Sequence, residues 1–331
     1  MGAQPLRYLS AADVVAAMPP VEDRIALAHR SMVALVESAE LPPKIGVRPR
    51  QPASHTAAMP ALLRESDPSG ARDLLGVKWV TAFPGNRARG LPAVNALVVL
   101  NDGATGEPRA ILDGAPITAE RTAAVSGVAL RRWWPRVDRR VRVTLVGAGV
   151  QGTSHVEVLA CVAPGTILTV ADRHEERAFE LARRAGQTGV FAEVDATTDA
   201  VGAVKSADVV LTMVSFGATR QSIPAQAFER ARLIIGVDYD MCIPASVVSG
   251  AGLFVVDDIA QFEATRTNTV FAGYPKPHAS IGLALSGAAS ALDGRGLVVV
   301  NHLGVGLADV VFADAILRRA AELGLGLVLP T

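Results

Sequence analysis

Residues Val141 to Val146 form a β-branched apolar run that ends directly in Gly147-Ala148-Gly149-Val150-Gln151-Gly152. A helix-compatible stretch, Thr153 to Val162, follows, and the next buried-strand run, Thr166 to Ala171, ends on Asp172. Three glycines at this spacing are a weak signal alone, but between a strand and a helix each has a physical task. Gly147 makes the tight turn, Gly149 lets backbone approach a pyrophosphate, and Gly152 lets the helix pack on the strand. Phosphate oxygens would then meet the free N–H groups and the dipole of the helix N-terminus. Asp172 would accept hydrogen bonds from the adenine-ribose hydroxyls, which favours NAD. Arg173, beside it, could instead meet a 2′-phosphate, so NADP is also possible.

The segments after this unit repeat its pattern. Glu175 to Ala185 reads as a helix closed by Gly186, and apolar runs follow at Val190 to Val194, Ala207 to Val214, Arg232 to Val237 and Gly252 to Val256. Strands apolar on both faces and alternating with helices indicate a parallel sheet covered on both sides. About six such strands predict a Rossmann-type, doubly wound α/β domain over residues 121–299. Residues 1–120 read differently. A helix is expected over Ala12 to Ala39, then a Pro-rich loop from Leu41 to Pro52, then strands at Leu74 to Thr81, Ala93 to Leu100 and Pro108 to Leu112. Strands joined by turns suggest an antiparallel or mixed sheet, hence a second, α+β domain. A helix from about Ala119 to Trp134, with Thr118 as N-cap, should link the two. The final strand and helix, Leu297 to Val300 and Leu307 to Leu323, are expected to return to the first domain, which would then include residues 300–331.

Charge excludes several classes of partner. Lys plus Arg and Asp plus Glu are 32 each, so the basic excess of a nucleic-acid or anionic-membrane binder is missing. No apolar run approaches the ~20 residues of a membrane span, and no secretory leader is read, so a cytoplasmic protein is expected. The arginines around residues 131–142 read as a solvated helix end and linker. Cys161 and Cys242 cannot build a disulfide framework, and the six histidines show no metal-ligand spacing, so no metal is expected.

Three charged residues stand out. Lys78 lies inside an apolar strand pattern, so it either faces a cleft or anion, or points to solvent from an edge strand. Arg121 sits near the start of a helix that is otherwise apolar or hydroxylated until Arg131. It could clamp a carboxylate with two hydrogen bonds, or it could be a surface arginine beside Glu120. Asp238 follows the buried run Leu233 to Val237, at the strand end where open parallel sheets bind ligands. With Asp240 two residues on, the pair could hold one raised pKa suited to proton transfer, or could cap the loop. Cys242 is expected to be packed and inert.

Gly76-Val77-Lys78-Trp79-Val80, Phe83-Pro84-Gly85-Asn86, Ile117-Thr118-Ala119-Glu120-Arg121-Thr122-Ala123-Ala124, the glycine turn, and Leu303-Gly304-Val305-Gly306-Leu307-Ala308-Asp309 together make the chain resemble the ornithine cyclodeaminase/mu-crystallin family. The resemblance implies a homodimer built through the N-terminal domain, with nicotinamide between the domains. It implies that Lys78 and Arg121 hold a substrate carboxylate and that Asp238 transfers the proton. It also implies that Val150 and Gln151 meet the cofactor phosphates, that Asp172 meets the ribose, and that His302 and Leu303 lie near nicotinamide and substrate. Where the family often has an arginine on the carboxylate after two prolines, this chain has Lys44, with Arg48 further on; either could serve. Glu120 stands where the family usually has a small or apolar residue.

Together these features predict an NAD(P)-dependent oxidoreductase acting on a small α-amino or α-imino acid: an imine or ketimine reductase, or an amino-acid dehydrogenase. A cyclodeaminase converting ornithine to proline and ammonia would need nearly the same residues. A non-catalytic binder of NAD(P)H would need neither Asp238 nor the carboxylate clamp.

Overall fold

In the computed structural model, which describes residues 5–51, 54–217, 219–267, 269–287, 294 and 296–329, the chain divides into two units. One runs to Arg121 and resumes at Gly304; the other is Thr122–Leu303.

The first unit is built on an eight-stranded sheet. Its strands are β1 (Leu6–Leu9), β2 (Ala39–Glu40), β3 (Ile45–Val47), β4 (His55–Leu63), β5 (Leu74–Ala82), β6 (Val94–Asp102), β7 (Pro108–Asp113) and, from the end of the chain, β16 (Leu327–Leu329). They lie in the order β16-β1-β7-β6-β5-β4-β2, with β3 also on β4. Every pair is antiparallel except β1 with β7. Helices α1 (Ala11–Ala16) and α2 (Val21–Glu37) follow β1, and α10 (Gly306–Glu322) packs on α2 and across β4, β5 and β6.

The single helix expected over Ala12 to Ala39 is in fact two. Pro19 and Pro20 have no N–H to continue α1, and Pro20 instead stands at the N-cap of α2. The stretch after Leu41 is not all loop, since β3 lies within it; its last residue, Pro52, is outside the described residues. On β5, Leu74, Gly76 and Lys78 are buried while Trp79 is exposed, the period-2 signature of a sheet covered on one face. Two glycines permit the close approach of α10: a Cβ on Gly76 would lie 3.1 Å from Val310, and one on Gly306 would lie 2.4 Å from the Met59 carbonyl oxygen. The other face carries an apolar cross-strand row, Ile45, Ala58, Trp79 and Leu97. Three of its members are well exposed, at 60%, 44% and 43% for Ile45, Trp79 and Leu97.

The second unit is a parallel sheet of β8 (Arg142–Val146), β9 (Ile167–Ala171), β10 (Glu193–Thr197), β11 (Val209–Thr212), β12 (Leu233–Gly236), β13 (Leu253–Val256), β14 (Ala279–Ser280) and β15 (Val298–Asn301). The order is β10-β9-β8-β11-β12-β15-β13-β14. Its helices are α4 (Val150–Val162), α5 (Glu175–Gln187), α6 (Ala200–Ser206), α7 (Ala245–Ser249), α8 (Ile259–Thr265) and α9 (Ile281–Leu285). The chain winds outward from β8 in both directions, so the crevice beyond β8 and β11 is the topological switch point where such sheets bind ligands.

One expectation fails here. The strand starting near Leu297 does not return to the first sheet; β15 is inserted between β12 and β13, parallel to both. The reason is physical. All four of its residues are buried, and a strand apolar on both faces is satisfied only inside a sheet covered on both sides.

Helix α3 (Gly114–Trp133) crosses the division between the units. It begins earlier than expected: Asp113 Oδ1 accepts from the Ala115 N–H at 2.9 Å, and Thr118 is an interior residue whose hydroxyl donates to the Gly114 carbonyl at 2.7 Å. Arg121 therefore lies well inside the helix rather than in its first turn. Among the described residues no helix is long and apolar enough to cross a membrane.

Candidate active site

In the first unit, Lys78 projects from β5 into the face covered by α10 and is 1% exposed. Its ammonium lies 2.7 Å from Asp309 Oδ2, and Arg121 Nε donates to Asp309 Oδ1 at 3.1 Å. Lys78 is thus neither on an edge strand nor at the surface. Arg121, also buried, is no surface partner of Glu120, which pairs with Arg24 instead. Two cations share one fully buried carboxylate, leaving a surplus positive charge that a second carboxylate can neutralise. Burial pushes the Lys78 ammonium down to about 7; Asp309 holds it up, and the charges of Arg121 and Lys44 push it down again. Lys44, half-buried just before β3, is therefore felt at Lys78. The exposed Arg48, just after β3, instead acts with Lys44 on His55, whose pKa they help to lower after burial.

In the second unit the three glycines divide their tasks. Gly147 has φ +114°, and a Cβ there would meet the Met213 carbonyl oxygen at 2.7 Å, so only glycine turns the chain off β8. A Cβ on Gly152 would lie 2.4 Å from the Gly147 carbonyl oxygen and 3.0 Å from Leu181 on α5. Gly149, the N-cap of α4, is different: a Cβ there meets nothing within 4 Å. The space over Gly149, Val150 and Gln151 at the start of α4 suits a group with phosphate oxygens. Asp172, at the end of β9, accepts from the Ala148 N–H and the His174 N–H, both at 2.8 Å. Its carboxylate is thereby fixed beside the glycine turn. Arg173 Nε lies 3.1 Å from His174 Nε2 on the exposed side.

Asp238 follows β12 and is buried. It accepts from the Thr212 hydroxyl at 2.9 Å and the Val214 N–H at 3.0 Å, and the Cys242 thiol also bonds to it. All three partners are neutral. Burial pushes the carboxyl up to about 6 and the three bonds only partly oppose that. Of the pair expected to hold one raised pKa or to cap the loop, Asp238 carries the raised value, while Asp240 is held by Arg220 and by the Phe271 N–H at 2.9 Å. Tyr239, between the two acids, has φ +61°. Asn301 Nδ2 donates to its carbonyl at 2.8 Å, and its ring packs 5.0 Å from Phe216 and 5.6 Å from Phe271. That strained residue re-aims the chain next to Asp238. Cys242 is buried, and burial with the Asp238 charge raises its pKa, as its expected inertness requires.

His302 and Leu303 close β15. Both are buried, and Leu303 packs in the core cluster with Val146, Val210 and Ile234. Lys78, Arg121, Lys44 and Arg48 therefore belong to the first unit, and the glycine turn, Asp172, Arg173, Asp238, His302 and Leu303 to the second. Sequence reasoning missed Asp309 as the anion between the cations. Its signal was an acid within the apolar pattern of α10, at a position that proves 0% exposed. It also missed Thr212, a small hydroxyl residue with no charge to mark it. No group of metal-ligating side chains occurs among the described residues.

A sequence profile described as the ornithine cyclodeaminase/mu-crystallin family matches residues 10–227. The chain is 29% identical over 340 residues to the nodulation efficiency protein NfeD of Rhizobium meliloti, covering 98% of each. It is 35% identical over 201 residues to the Delta(1)-pyrroline-2-carboxylate/Delta(1)-piperideine-2-carboxylate reductase of Azospirillum brasilense, covering 59% of this chain and 61% of that one. The solved structure of Thermococcus litoralis Delta(1)-pyrroline-2-carboxylate reductase with NADH and L-proline has TM-score 0.81 and 23% identity, covering 98% of this chain and 100% of its own, and shares the fold. With a profile matched over more than half its length and the family's motifs in order, the chain belongs to the ornithine cyclodeaminase/mu-crystallin family.

Proposed function

We propose that the protein is a nicotinamide-dependent reductase of small α-imino acids, of the kind named for its Azospirillum relative. Asp238 is the observation that carries the reading. A buried carboxyl with neutral partners and a value near 6 can give a proton at neutral pH, which mere cofactor storage does not require.

Lys78 and Arg121 bind the substrate carboxylate through the surplus charge of their cluster, with Lys44 as the third cation, and so fix the α-carbon. Asp309 keeps the two cations oriented before substrate arrives. The cofactor, when bound, supplies a hydride to the α-carbon in reduction and receives it in oxidation. Asp238 in its protonated form gives the matching proton to nitrogen as C=N becomes C–N, and its carboxylate takes that proton back in the reverse direction. Thr212 and Val214 hold the carboxyl in place for both. The start of α4, with Gly149, Val150 and Gln151, would hold the cofactor phosphates, and Asp172 the ribose hydroxyls. A 2′-phosphate would meet the Asp172 carboxylate, so NADH should be preferred over NADPH by at least about tenfold. The exposed row on the outer face of the first unit's sheet supports a homodimer, because isolated chains rarely leave such an apolar surface uncovered.

The test is a turnover assay with Delta(1)-pyrroline-2-carboxylate and Delta(1)-piperideine-2-carboxylate. Steady loss of NADH absorbance at 340 nm is expected. Formation of proline and ammonia from ornithine without net NADH change would replace this reading by the cyclodeaminase one. NADH binding without turnover on any of these compounds would leave only a binder.

A further inference from the structure

Thr212 closes β11 and is paired in register with Gly236, two residues before Asp238. The Val237 N–H donates to the Thr212 carbonyl at 2.8 Å, so the parallel ladder runs one residue past β12 and delivers Asp238 beside the end of β11. There each carboxyl oxygen meets its own donor. The Thr212 hydroxyl donates to Oδ1 at 2.9 Å and the Val214 N–H to Oδ2 at 3.0 Å. The Cys242 thiol is a third donor. Thr212, Cys242 and Asp238 are all buried, so bulk water does not compete for these bonds.

All three donors favour the same form of the acid. A carboxylate accepts a stronger bond from each than a neutral carboxyl does, whereas burial favours the neutral form. Cys242 remains a donor because burial and the Asp238 charge keep the hydrogen on its sulfur. The other titratable or charged groups around this turn have their own contacts. The Tyr239 ring packs on Phe216 and Phe271, and Asp240 is paired with Arg220. The Tyr274 hydroxyl, kept neutral by burial and by the neighbouring acids, donates to the Ile243 carbonyl at 2.7 Å. His302, at the end of β15, has Nε2 2.8 Å from Ser126 Oγ. Val214 donates from the main chain, which leaves Thr212 and Cys242 as the donors that a side-chain change can remove.

We propose that Thr212 and Cys242 are positioning residues that favour the ionised form of Asp238 and so set the pH at which it exchanges its proton with the substrate nitrogen. That the proton goes to nitrogen rests on the reductase reading; the balance of bonds at the carboxyl does not. The consequence is opposite for the two directions of reaction. Without one donor Asp238 keeps its proton to higher pH. The acid needed for imine reduction then persists further, and the base needed for amine oxidation is depleted.

Thr212→Val removes the hydroxyl at nearly the same shape, and Thr212→Ser returns it. The valine variant should move the midpoint of the kcat profile to higher pH by about one pH unit in both directions of reaction, with serine close to wild type. At pH 8 it should therefore keep up to about tenfold more of its own low-pH rate of imine reduction than the wild type keeps. Cys242→Ala should move the midpoint the same way by less, because a thiol is a weak donor. The midpoint is also read without turnover, by infrared difference spectra of protein labelled with carbon-13 aspartate, in the carboxyl band that Asp238→Asn deletes. A lower rate at every pH with an unmoved midpoint is what a merely structural role gives, and it overturns the proposal; so does a midpoint that moves to lower pH. If Thr212→Val does not fold, the Cys242→Ala midpoint decides. If the wild type turns over none of the imino acids, the reductase reading fails, and the infrared midpoints alone decide the proposal.

Discussion

The two units bury ionisable groups in opposite ways. In the first, the buried charges are answered by charges: Asp309 lies between Lys78 and Arg121, and the cluster is held together although burial draws Lys78 down to about 7. In the second, Asp238 is answered only by dipoles, a hydroxyl, an N–H and a thiol, and burial draws it up to about 6. Asp240, two residues away and just as buried, is paired with Arg220. Charged partners tie a buried group into a cluster, a fixture that can bind a counter-charge; neutral partners alone leave its proton available for transfer to a ligand.

The largest effect should come from removing the proton-exchanging member. Asp238→Asn should lower kcat by about 10²–10⁴-fold with NADH affinity retained, measured by steady-state turnover and fluorescence titration. The stability effect has a definite sign. Because the folded value lies above the ordinary 3.8, the native state carries the cost of an ionised buried carboxylate above about pH 6, and none below the ordinary value. The asparagine variant should therefore be more stable than wild type at pH 8, by up to about 3 kcal/mol, and equally stable at pH 3.5, read by denaturant unfolding. Wild-type turnover in this variant would place Asp238 with the fixtures.

Removing a fixture should cost binding instead. Lys78→Met should raise the KM for the imino acid by about 10²-fold with a smaller change in kcat. The residual pair of Arg121 and Asp309 keeps the core charge-balanced, so the variant should fold. A drop confined to kcat would mean that Lys78 belongs with the chemistry.

The glycine turn offers the same distinction without charges. Gly149→Val should weaken NADH binding by tenfold or more at nearly unchanged Tm, because its Cβ enters open space. Gly152→Val drives a side chain into the Gly147 carbonyl and should lower the Tm by several degrees.

Local backbone demands were the part of the molecule most readable in the sequence. The glycine turn, the parallel strands and Asp238 at a strand end follow from φ, from close approach and from double-sided burial, each written in consecutive residues. Helix α1 parted from α2 for an equally local reason, two prolines, which the run of apolar positions through Ala12 to Ala39 obscured. Strand β4 was not anticipated because alanines and Pro60 carry little strand propensity; it forms because β5 pairs along its whole length. Asp309 was hidden for a different reason. Its partners, Lys78 and Arg121, are far away in sequence, and only the packing of α10 through Gly76 and Gly306 brings it to them. The placement of β15 was missed because strand count is no measure of a finished sheet, whereas burial on both faces is.

The smallest and sharpest test is the pH dependence, since each kind of buried group predicts its own. In imine reduction protonated Asp238 is the active form, so kcat should fall as pH rises through about 6; in amine oxidation the carboxylate is active, and kcat should rise over the same interval. Lys78 must be a cation to hold a carboxylate, so KM for the imino acid in reduction, and for the amino acid in oxidation, should climb as pH rises through about 7, by a few-fold per unit. Bound substrate brings a second negative charge to the cluster and raises the Lys78 pKa, so the rise in KM should have no counterpart in kcat. A kcat profile that bends the same way in both directions would take the proton-transfer role from Asp238, and a flat KM would leave Arg121 as the cation that matters.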